Sequence, residues 1–192
     1  PELIRFINSS EGVIVNSKQN TVDFFDLTES EIILTGESIN ITDSDDAECS
    51  SIDVSVDESV LAVVVTKGSC TRGELYLIDV KKGKLKNQIT KGKFVVRYVD
   101  WIDKEKRQIW FRASGLNKDQ DPYLMHYYRV NFDGSGFTAL TEGNGWHNIT
   151  YSPDRSYIID QYSRIDMAPV NELRRVSDGA LVCSLEKSDI SE

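Results

Sequence analysis

The sequence predicts an all-β protein assembled from about four small antiparallel sheets. Short apolar runs alternate with turn signals, and this pattern recurs at intervals of about 45–50 residues. Sustained helical periodicity with capping residues is missing; in the best short candidate, residues 121–130, Pro122 and the Tyr127-Tyr128 pair favour a strand. A four-stranded unit of this length is the blade of a β-propeller, so we expect residues 1–192 to form a partial β-propeller. The expected blades are approximately residues 1–40, 50–92, 94–142 and 146–187.

The first two strands of each later unit are joined by a turn that contains an acidic residue. Asp57, Asp103 and Asp154 mark these turns, at spacings of 46 and 51 residues. An alternating strand precedes each turn, which is typical of half-buried strands, whereas a nearly continuous apolar strand follows, which indicates burial on both faces. The strands that follow are residues 60–65, 108–112 and 157–162. The first unit is degenerate, with strand-like runs at residues 12–15, 21–27 and 31–34.

The last two strands of each later unit are predicted to form a hairpin. The hairpin turns are Lys82-Gly83, Asp133-Gly134 and Asp178-Gly179, at spacings of 51 and 45 residues. Two polar stretches, residues 41–51 and 113–121, are predicted to be loops between strands.

Composition excludes several classes of protein. The 192 residues are 40% hydrophobic and 28% charged, which is ordinary for a folded domain and excludes disorder and collagen. The longest apolar runs, such as residues 60–65, are far too short to span a bilayer. The formal net charge of −9 argues against a nucleic-acid partner, because phosphate contacts need a basic surface.

Three glycine-containing segments approximate catalytic or nucleotide-binding motifs. The segment starting Gly36-Glu37-Ser38 lacks the final glycine of a hydrolase elbow, so we expect a turn at the end of a strand. The segment 68–73 has the glycine spacing of a phosphate loop, but the acidic Glu74 follows, which favours a loop between strands. The segment 134–139 fits G-x-G-x-x-A without a helix after it, which favours a hairpin. We therefore predict no catalytic and no cofactor-binding residues.

Metal ligation has little support either. The oxygen-rich segments 43–48 and 117–121 lack the glycine and the distal glutamate of a calcium loop, so we predict no metal site and no cofactor. His126 is expected to pack on a strand, and His147 to make a structural hydrogen bond. Cys49, Cys70 and Cys183 form no CxxC pair; one disulfide and three free buried thiols both remain open.

Several segments together resemble a late propeller blade of dipeptidyl peptidase IV-like enzymes, in the prolyl oligopeptidase family of serine peptidases. The first is Trp146-His147-Asn148-Ile149-Thr150-Tyr151-Ser152-Pro153-Asp154, followed by residues 157–163. The resemblance continues through residues 122–136 and 172–190, and Trp101 with residues 109–115 fits the blade before. It covers about residues 95–190, whereas residues 1–94 agree only in their blade pattern.

The resemblance implies an N-terminal propeller that admits only peptides to a C-terminal α/β-hydrolase domain, which carries a Ser-Asp-His triad. In the exopeptidases of this family a Glu-Glu pair grips the substrate's N-terminus; this chain has no Glu-Glu dipeptide, and we transfer no catalytic or substrate-binding residue onto it. The chain is expected to lack the hydrolase domain, which would be its covalently linked partner in the parent protein, and to be inactive alone. The implied location is periplasmic or extracellular.

Two points about partners stay open. The sheet faces left uncovered by an open arc of blades predict a possible homo-oligomer. The alternative to a peptidase propeller is a stand-alone Tol-like or WD-like propeller that acts as a protein-interaction module.

Overall fold

The computed structural model describes residues 3–6, 9–16, 21–28, 31–40, 47–54, 60–67, 72–79 and 84–187. The strands between residues 47 and 67 are described by their backbone alone. Every regular element within these ranges is a β-strand, which confirms the all-β prediction. No helix in the described part of the chain has the length and apolar character needed to cross a membrane.

Sixteen strands are described, and they fall into four consecutive sets of four. The first set is β1 Leu3–Phe6, β2 Glu11–Asn16, β3 Thr21–Leu27 and β4 Ile32–Asn40. The second is β5 Ala47–Val54, β6 Val60–Lys67, β7 Arg72–Asp79 and β8 Lys84–Gln88. The third is β9 Val95–Asp103, β10 Gln108–Ser114, β11 Met125–Asn131 and β12 Thr138–Ala139. The fourth is β13 Trp146–Tyr151, β14 Tyr157–Arg164, β15 Met167–Arg175 and β16 Leu181–Lys187.

Each set is an antiparallel meander in which consecutive strands are neighbours. The first and fourth sets are separate four-stranded sheets. The second and third are joined by one parallel residue pair, Gly73 with Val95, so they form a single eight-stranded sheet. One bridging pair adds little to the long antiparallel ladders on either side, and the two sets behave as separate blades. The chain is a portion of a β-propeller, and we call the four sets the first to fourth blades.

The third blade is buried on both of its faces. Successive side chains of a strand point to opposite faces, and in β10 Ile109 and Phe111 face one core whereas Trp110 faces another. All three are at most 2% exposed. This confirms the prediction that the continuous apolar run at residues 108–112 is covered on both sides, where each large apolar side chain contributes roughly 1.5–3 kcal/mol. The same prediction for residues 157–162 is wrong, because β14 alternates between exposed and buried side chains.

The two cores lie on either side of the third blade. The larger one, shared with the second blade, contains Leu75, Leu77, Ile89, Phe94, Val96, Ile102, Ile109, Phe111, Ala113, Tyr128, Val130 and Phe132. The smaller one, shared with the fourth blade, contains Trp110, Tyr127, Leu140, Ile158 and Val176, with Trp101, Ile149 and Tyr151 packed against it. The smaller core leaves room for polar groups between the third and fourth blades.

Two predicted hairpin turns are confirmed. At Asp133-Gly134 the Gly134 amide donates to the Asn131 carbonyl at 2.9 Å. At Asp178-Gly179 the Gly179 amide donates to the Arg175 carbonyl at 2.8 Å. The expected turns at Lys82-Gly83 and Asp57 lie outside the described residues. Residues 68–71 of the expected loop at 68–73 do so as well, whereas its last two residues belong to β7.

Some predicted boundaries and environments are wrong. The expected loop at residues 41–51 includes the start of β5 at Ala47, and the expected loop at 113–121 includes the end of β10 at Ser114. Gly36 lies within β4 rather than at a strand end, with a left-handed φ of 82° where the ladder to β3 shifts register. Cys183 carries a free thiol on the outermost strand of its blade and is exposed, not buried.

Candidate functional site

The two ends of the third and fourth blades differ in the length of their connections. The connection between β10 and β11 spans residues 115–124, and the connection between β12 and β13 spans residues 140–145. Both lie at the end where β9 and β13 begin, because the strands are antiparallel; we call it the long-loop end. The opposite end carries the tight turns and is called the short-turn end. Binding residues concentrate on loops held by a rigid scaffold, which makes the long-loop end the better candidate for a binding site.

A cavity of about 530 Å³ opens at the long-loop end between the third and fourth blades. We call it the aromatic–arginine cavity. Its lining residues are Arg97, Tyr98, Arg112, Tyr123, Met125, Tyr127, Trp146, His147 and Asn148. They come from β9, β10, β11, β13 and the loop before β11, so the cavity exists only because the two blades pack together.

Three aromatic rings of the cavity face solvent. Tyr98 is 49% exposed, Tyr123 is 74% exposed and Trp146 is 53% exposed. Large rings are costly to leave in water unless a partner covers them, and rigid aromatic surfaces are the usual platforms for extended peptides. The three rings therefore offer a stacking surface at the mouth of the cavity.

Two guanidinium groups supply positive charge. The Arg112 Nε atom lies 2.8 Å from Asp100 Oδ1, and the Arg112 guanidinium lies over the Tyr98 ring at 4.6 Å from its centroid. The Arg97 Nε atom donates to Ser114 Oγ at 3.3 Å, and no carboxylate oxygen of the described residues lies within 4.0 Å of Arg97. Arg112 is thus neutralised and stacked, whereas Arg97 retains a charge that a ligand carboxylate can meet.

The two histidines of the sequence meet behind the cavity. The rings of His126 and His147 lie 4.5 Å apart between centroids, and His147 also packs on Tyr162 at 4.7 Å. His126 is buried on β11, where its Nε2 atom lies 2.8 Å from Gln120 Oε1 and its Nδ1 atom 3.3 Å from Thr141 Oγ1. Both imidazoles therefore have structural partners on neighbouring elements.

The hydrogen bond expected of His147 is made to a buried carboxylate, which the sequence analysis did not identify. His147 Nδ1 lies 2.8 Å from Asp160 Oδ1, and both side chains are fully buried. Arg174 approaches Asp160 at 3.7 Å and binds Glu172 at 2.8 Å. Burial raises the pKa of Asp160, and the hydrogen bond and charge of His147 and the charge of Arg174 oppose that rise. A lone aspartate within the apolar run of β14 was the available signal for this network.

The candidate catalytic side chains among the described residues are engaged in other contacts. Ser38, in the candidate elbow, donates to Asp23 Oδ1 at 2.7 Å in the first blade, and both histidines bond to other groups. Thr141, which contacts His126, is buried and accepts a hydrogen bond from the Tyr127 amide. No cluster of metal-ligating side chains occurs within the part of the chain that the structure describes.

Four-stranded antiparallel blades of this kind define a portion of a β-propeller domain, here with a cavity between two of the blades. The model of the dipeptidyl peptidase IV N-terminal region matches residues 16–169. The chain belongs to this family, which confirms the resemblance found in the sequence.

Solved structures share the fold. Porphyromonas gingivalis dipeptidyl peptidase 4 matches with a TM-score of 0.65 and 17% identity, over 93% of this chain and 25% of that chain. Kuenenia stuttgartiensis hydrazine synthase matches with a TM-score of 0.56 and 13% identity, over 87% of this chain and 48% of that chain. At these identities the likeness concerns the fold alone. The chain spans a quarter of the length of the peptidase.

Proposed function

We propose that the chain is the non-catalytic propeller portion of a dipeptidyl or tripeptidyl peptidase IV-like serine exopeptidase. In this role it controls which peptides reach a covalently linked α/β-hydrolase domain. The parent protein acts in the periplasm or outside the cell, as the family resemblance implies. Membership in the family of dipeptidyl peptidase IV N-terminal regions supports the assignment.

The aromatic–arginine cavity is the observation that carries this proposal. Its exposed rings can stack on an extended chain, and Arg97 can pair with a carboxylate of that chain. A folded protein presents few extended segments to a cavity of about 530 Å³, whereas an unstructured peptide can enter it. The cavity therefore favours peptides over folded proteins.

Hydrolysis is assigned to the linked domain. A serine peptidase depends on a nucleophile, a base and oxyanion donors held together in one geometry. The described residues do not assemble that set. Ser38 and the two histidines lie in three different blades, and each of them bonds to another group. The contribution of the propeller is selection and exclusion of bulk solvent.

The experiment combines an assay of the purified chain with a binding measurement. We expect no hydrolysis of Gly-Pro or Ala-Pro chromogenic substrates, and we expect fluorescence anisotropy to show binding of short unstructured peptides. Trp146→Ala should weaken that binding several-fold, because it removes a stacking surface, whereas Phe137→Ala, an exposed ring outside the cavity, should not. Turnover by the pure chain, or equal binding by both variants, would contradict the proposal.

The coding sequence after Glu192 separates this proposal from a stand-alone interaction module. A Gly-x-Ser-x-Gly elbow within about 200 residues supports the peptidase, since that motif presents the nucleophile of α/β-hydrolases. A stop codon directly after the described blades would favour a Tol-like or WD-like module instead.

A further inference from the structure

A second cavity, of about 580 Å³, lies at the short-turn end between the third and fourth blades. Four basic side chains from four different elements line it: Lys106, Arg129, Arg155 and Arg175. The other lining residues are Gln108, Trp110, Ser156, Tyr157, Val176 and Ser177, and none of them is acidic. In a chain with a net charge of −9, a wall that carries four cations and no carboxylate is unexpected.

Two of these cations have carboxylate partners outside the cavity wall. Arg175 Nη2 lies 2.7 Å from Asp178 Oδ2, and the mostly exposed Lys106 Nζ lies 3.7 Å from Asp103 Oδ2. Arg175 Nε also donates to Asp178 Oδ1 at 3.0 Å, so this pair is bidentate, whereas the single contact of Lys106 is an exposed and weak pair. Arg129 and Arg155 have no carboxylate oxygen of the described residues within 4.0 Å.

Arg129 is a partly buried cation whose bonds are all to neutral groups. Its Nη2 atom donates to the Ser177 carbonyl at 2.7 Å and to Thr138 Oγ1 at 3.3 Å, while its buried Nε atom has no acceptor. Desolvation lowers the pKa of Arg129, and the charge of Asp178 opposes this only in part. A partly desolvated guanidinium with donors to spare is stabilised by a bound anion.

Arg155 is held in place by aromatic rings. Its guanidinium carbon lies 4.2 Å from the Trp101 ring centroid and 4.8 Å from that of Tyr151. Stacking on the faces of the rings fixes the guanidinium plane and leaves its N–H edges for a ligand. Trp101 stacks in turn on Trp110, whose buried indole N–H has no acceptor. Arg155 thus presents a fixed positive charge to the cavity.

We propose that this cavity binds a phosphate or sulfate ester, with Arg129 and Arg155 as the principal ligands of the oxyanion and Lys106 and Arg175 as supporting charges. Planar guanidinium groups match tetrahedral oxyanions in bidentate geometry. The cavity volume falls in the range of small-molecule sites and exceeds that of one inorganic anion, which leaves room for the organic part of an ester. The site is separate from the aromatic–arginine cavity and does not depend on the proposed peptidase role.

Isothermal titration calorimetry with inorganic phosphate, sulfate and glucose 6-phosphate tests this site. We expect saturable binding of glucose 6-phosphate that is tighter than that of either inorganic ion and that weakens as salt is added. Arg129→Gln and Arg155→Gln should each weaken binding at least tenfold. Lys118→Gln, which removes one charge from an exposed loop at the opposite end, should leave it unchanged.

Each outcome of this experiment is decisive. Absence of binding at millimolar concentration, or equal loss in Lys118→Gln, would overturn the proposal, since general electrostatic attraction would then account for the data. Tighter binding of tri-glutamate than of glucose 6-phosphate would overturn the assignment to phosphate and sulfate. Inorganic phosphate binding as tightly as the ester would remove the role of the organic part. Lys106→Gln changes a side chain that is 66% exposed, so we expect the fold to tolerate it, and it should weaken binding by a smaller factor.

Discussion

The contact between His126 and His147 places two titratable rings 4.5 Å apart in the interface between blades. Desolvation, followed by the charge of His147, lowers the pKa of His126 from 6.5 to about 4, and a hydrogen bond with the Thr141 backbone opposes this. His126 is therefore neutral at pH 7 and stacks without repulsion on its neighbour. Below that pKa, protonation of His126 would place a positive charge in this buried interface, where desolvation opposes it.

Acid should destabilise the protein through His126. The unfolded side chain takes up a proton near pH 6.5 but the folded one only near pH 4, so the unfolded state binds more protons in this window. The stability contributed by this group is complete above pH 6.5 and falls as the pH drops to about 4. Urea unfolding measured between pH 7 and pH 4 should show this decline, and His126→Gln should flatten it.

A matched control is Asp166→Asn, which removes an exposed carboxylate and should leave the slope of stability against pH almost unchanged over this window. Asp160 acts in the opposite sense, because its raised pKa makes its contribution to folding stability fall as the pH rises. Since Asp160 is present in all of these variants, its effect cancels when they are compared. The same pH dependence in the parent and in His126→Gln would rule out this role for the histidine.

Turns rather than strands impose the strictest local requirements on the sequence. Gly179, in the turn between β15 and β16, has a φ of 73°, and a Cβ atom there would overlap the Ala139 carbonyl oxygen of the third blade. Gly36, in the bulge of β4, has a similar φ of 82° but open space around it. The turn at Gly179 is thus also a contact between blades, whereas Gly36 meets only a local backbone requirement.

Substituting alanine for each of these two glycines should separate the cost of backbone strain from the cost of the steric overlap with the third blade. Gly36→Ala should destabilise by about 1–2 kcal/mol, because an L-residue is strained in the left-handed region. Gly179→Ala should cost clearly more, about 3 kcal/mol or above, since the blades must also move apart. Chemical denaturation of the two variants measures the difference, and equal losses of unfolding free energy would show that the close approach to Ala139 is unimportant.

The molecule as a whole leaves apolar side chains uncovered on the fourth blade. The exposed group on β14 and β16 is Ile159, Leu181, Val182 and Leu185. In β14 Ile159 alternates with Ile158, which is buried against the third blade, so Ile159 points to the opposite face. Stacked repeats bury such faces against a neighbour, so the exposed Ile159 marks a face that another copy of the chain can cover.

This surface should make the chain self-associate at high concentration. Sedimentation velocity should show a sedimentation coefficient that rises with protein concentration, and Ile159→Lys should suppress the rise. Ile165→Lys makes the same change at a fully exposed position in the turn after β14 and should have little effect. Strictly monomeric behaviour of the parent chain over the whole range would contradict the expectation.

Local pattern was sufficient to predict much of the architecture. Alternation, continuous apolar runs and acid–glycine turns depend on neighbours along the chain, so strands such as β10 and turns such as Asp178-Gly179 are readable without coordinates. Boundaries were less certain, because the polar start of β5 resembles a loop when its ladder partners are unknown. The bulge at Gly36 escaped prediction for the same reason.

The binding features depend instead on how the blades pack. Arg129 and Ser177 lie 48 positions apart in sequence and 2.7 Å apart in space, and His126 reaches His147 only because the third and fourth blades meet. The sequence shows that each of these side chains is polar, but the spacing of residues along the chain does not predict which polar side chains meet in an interface. Strand formation follows from short-range alternation along the chain. The burial of side chains, the grouping of charged residues and the cavities depend on how separate sheets pack against each other and exclude water.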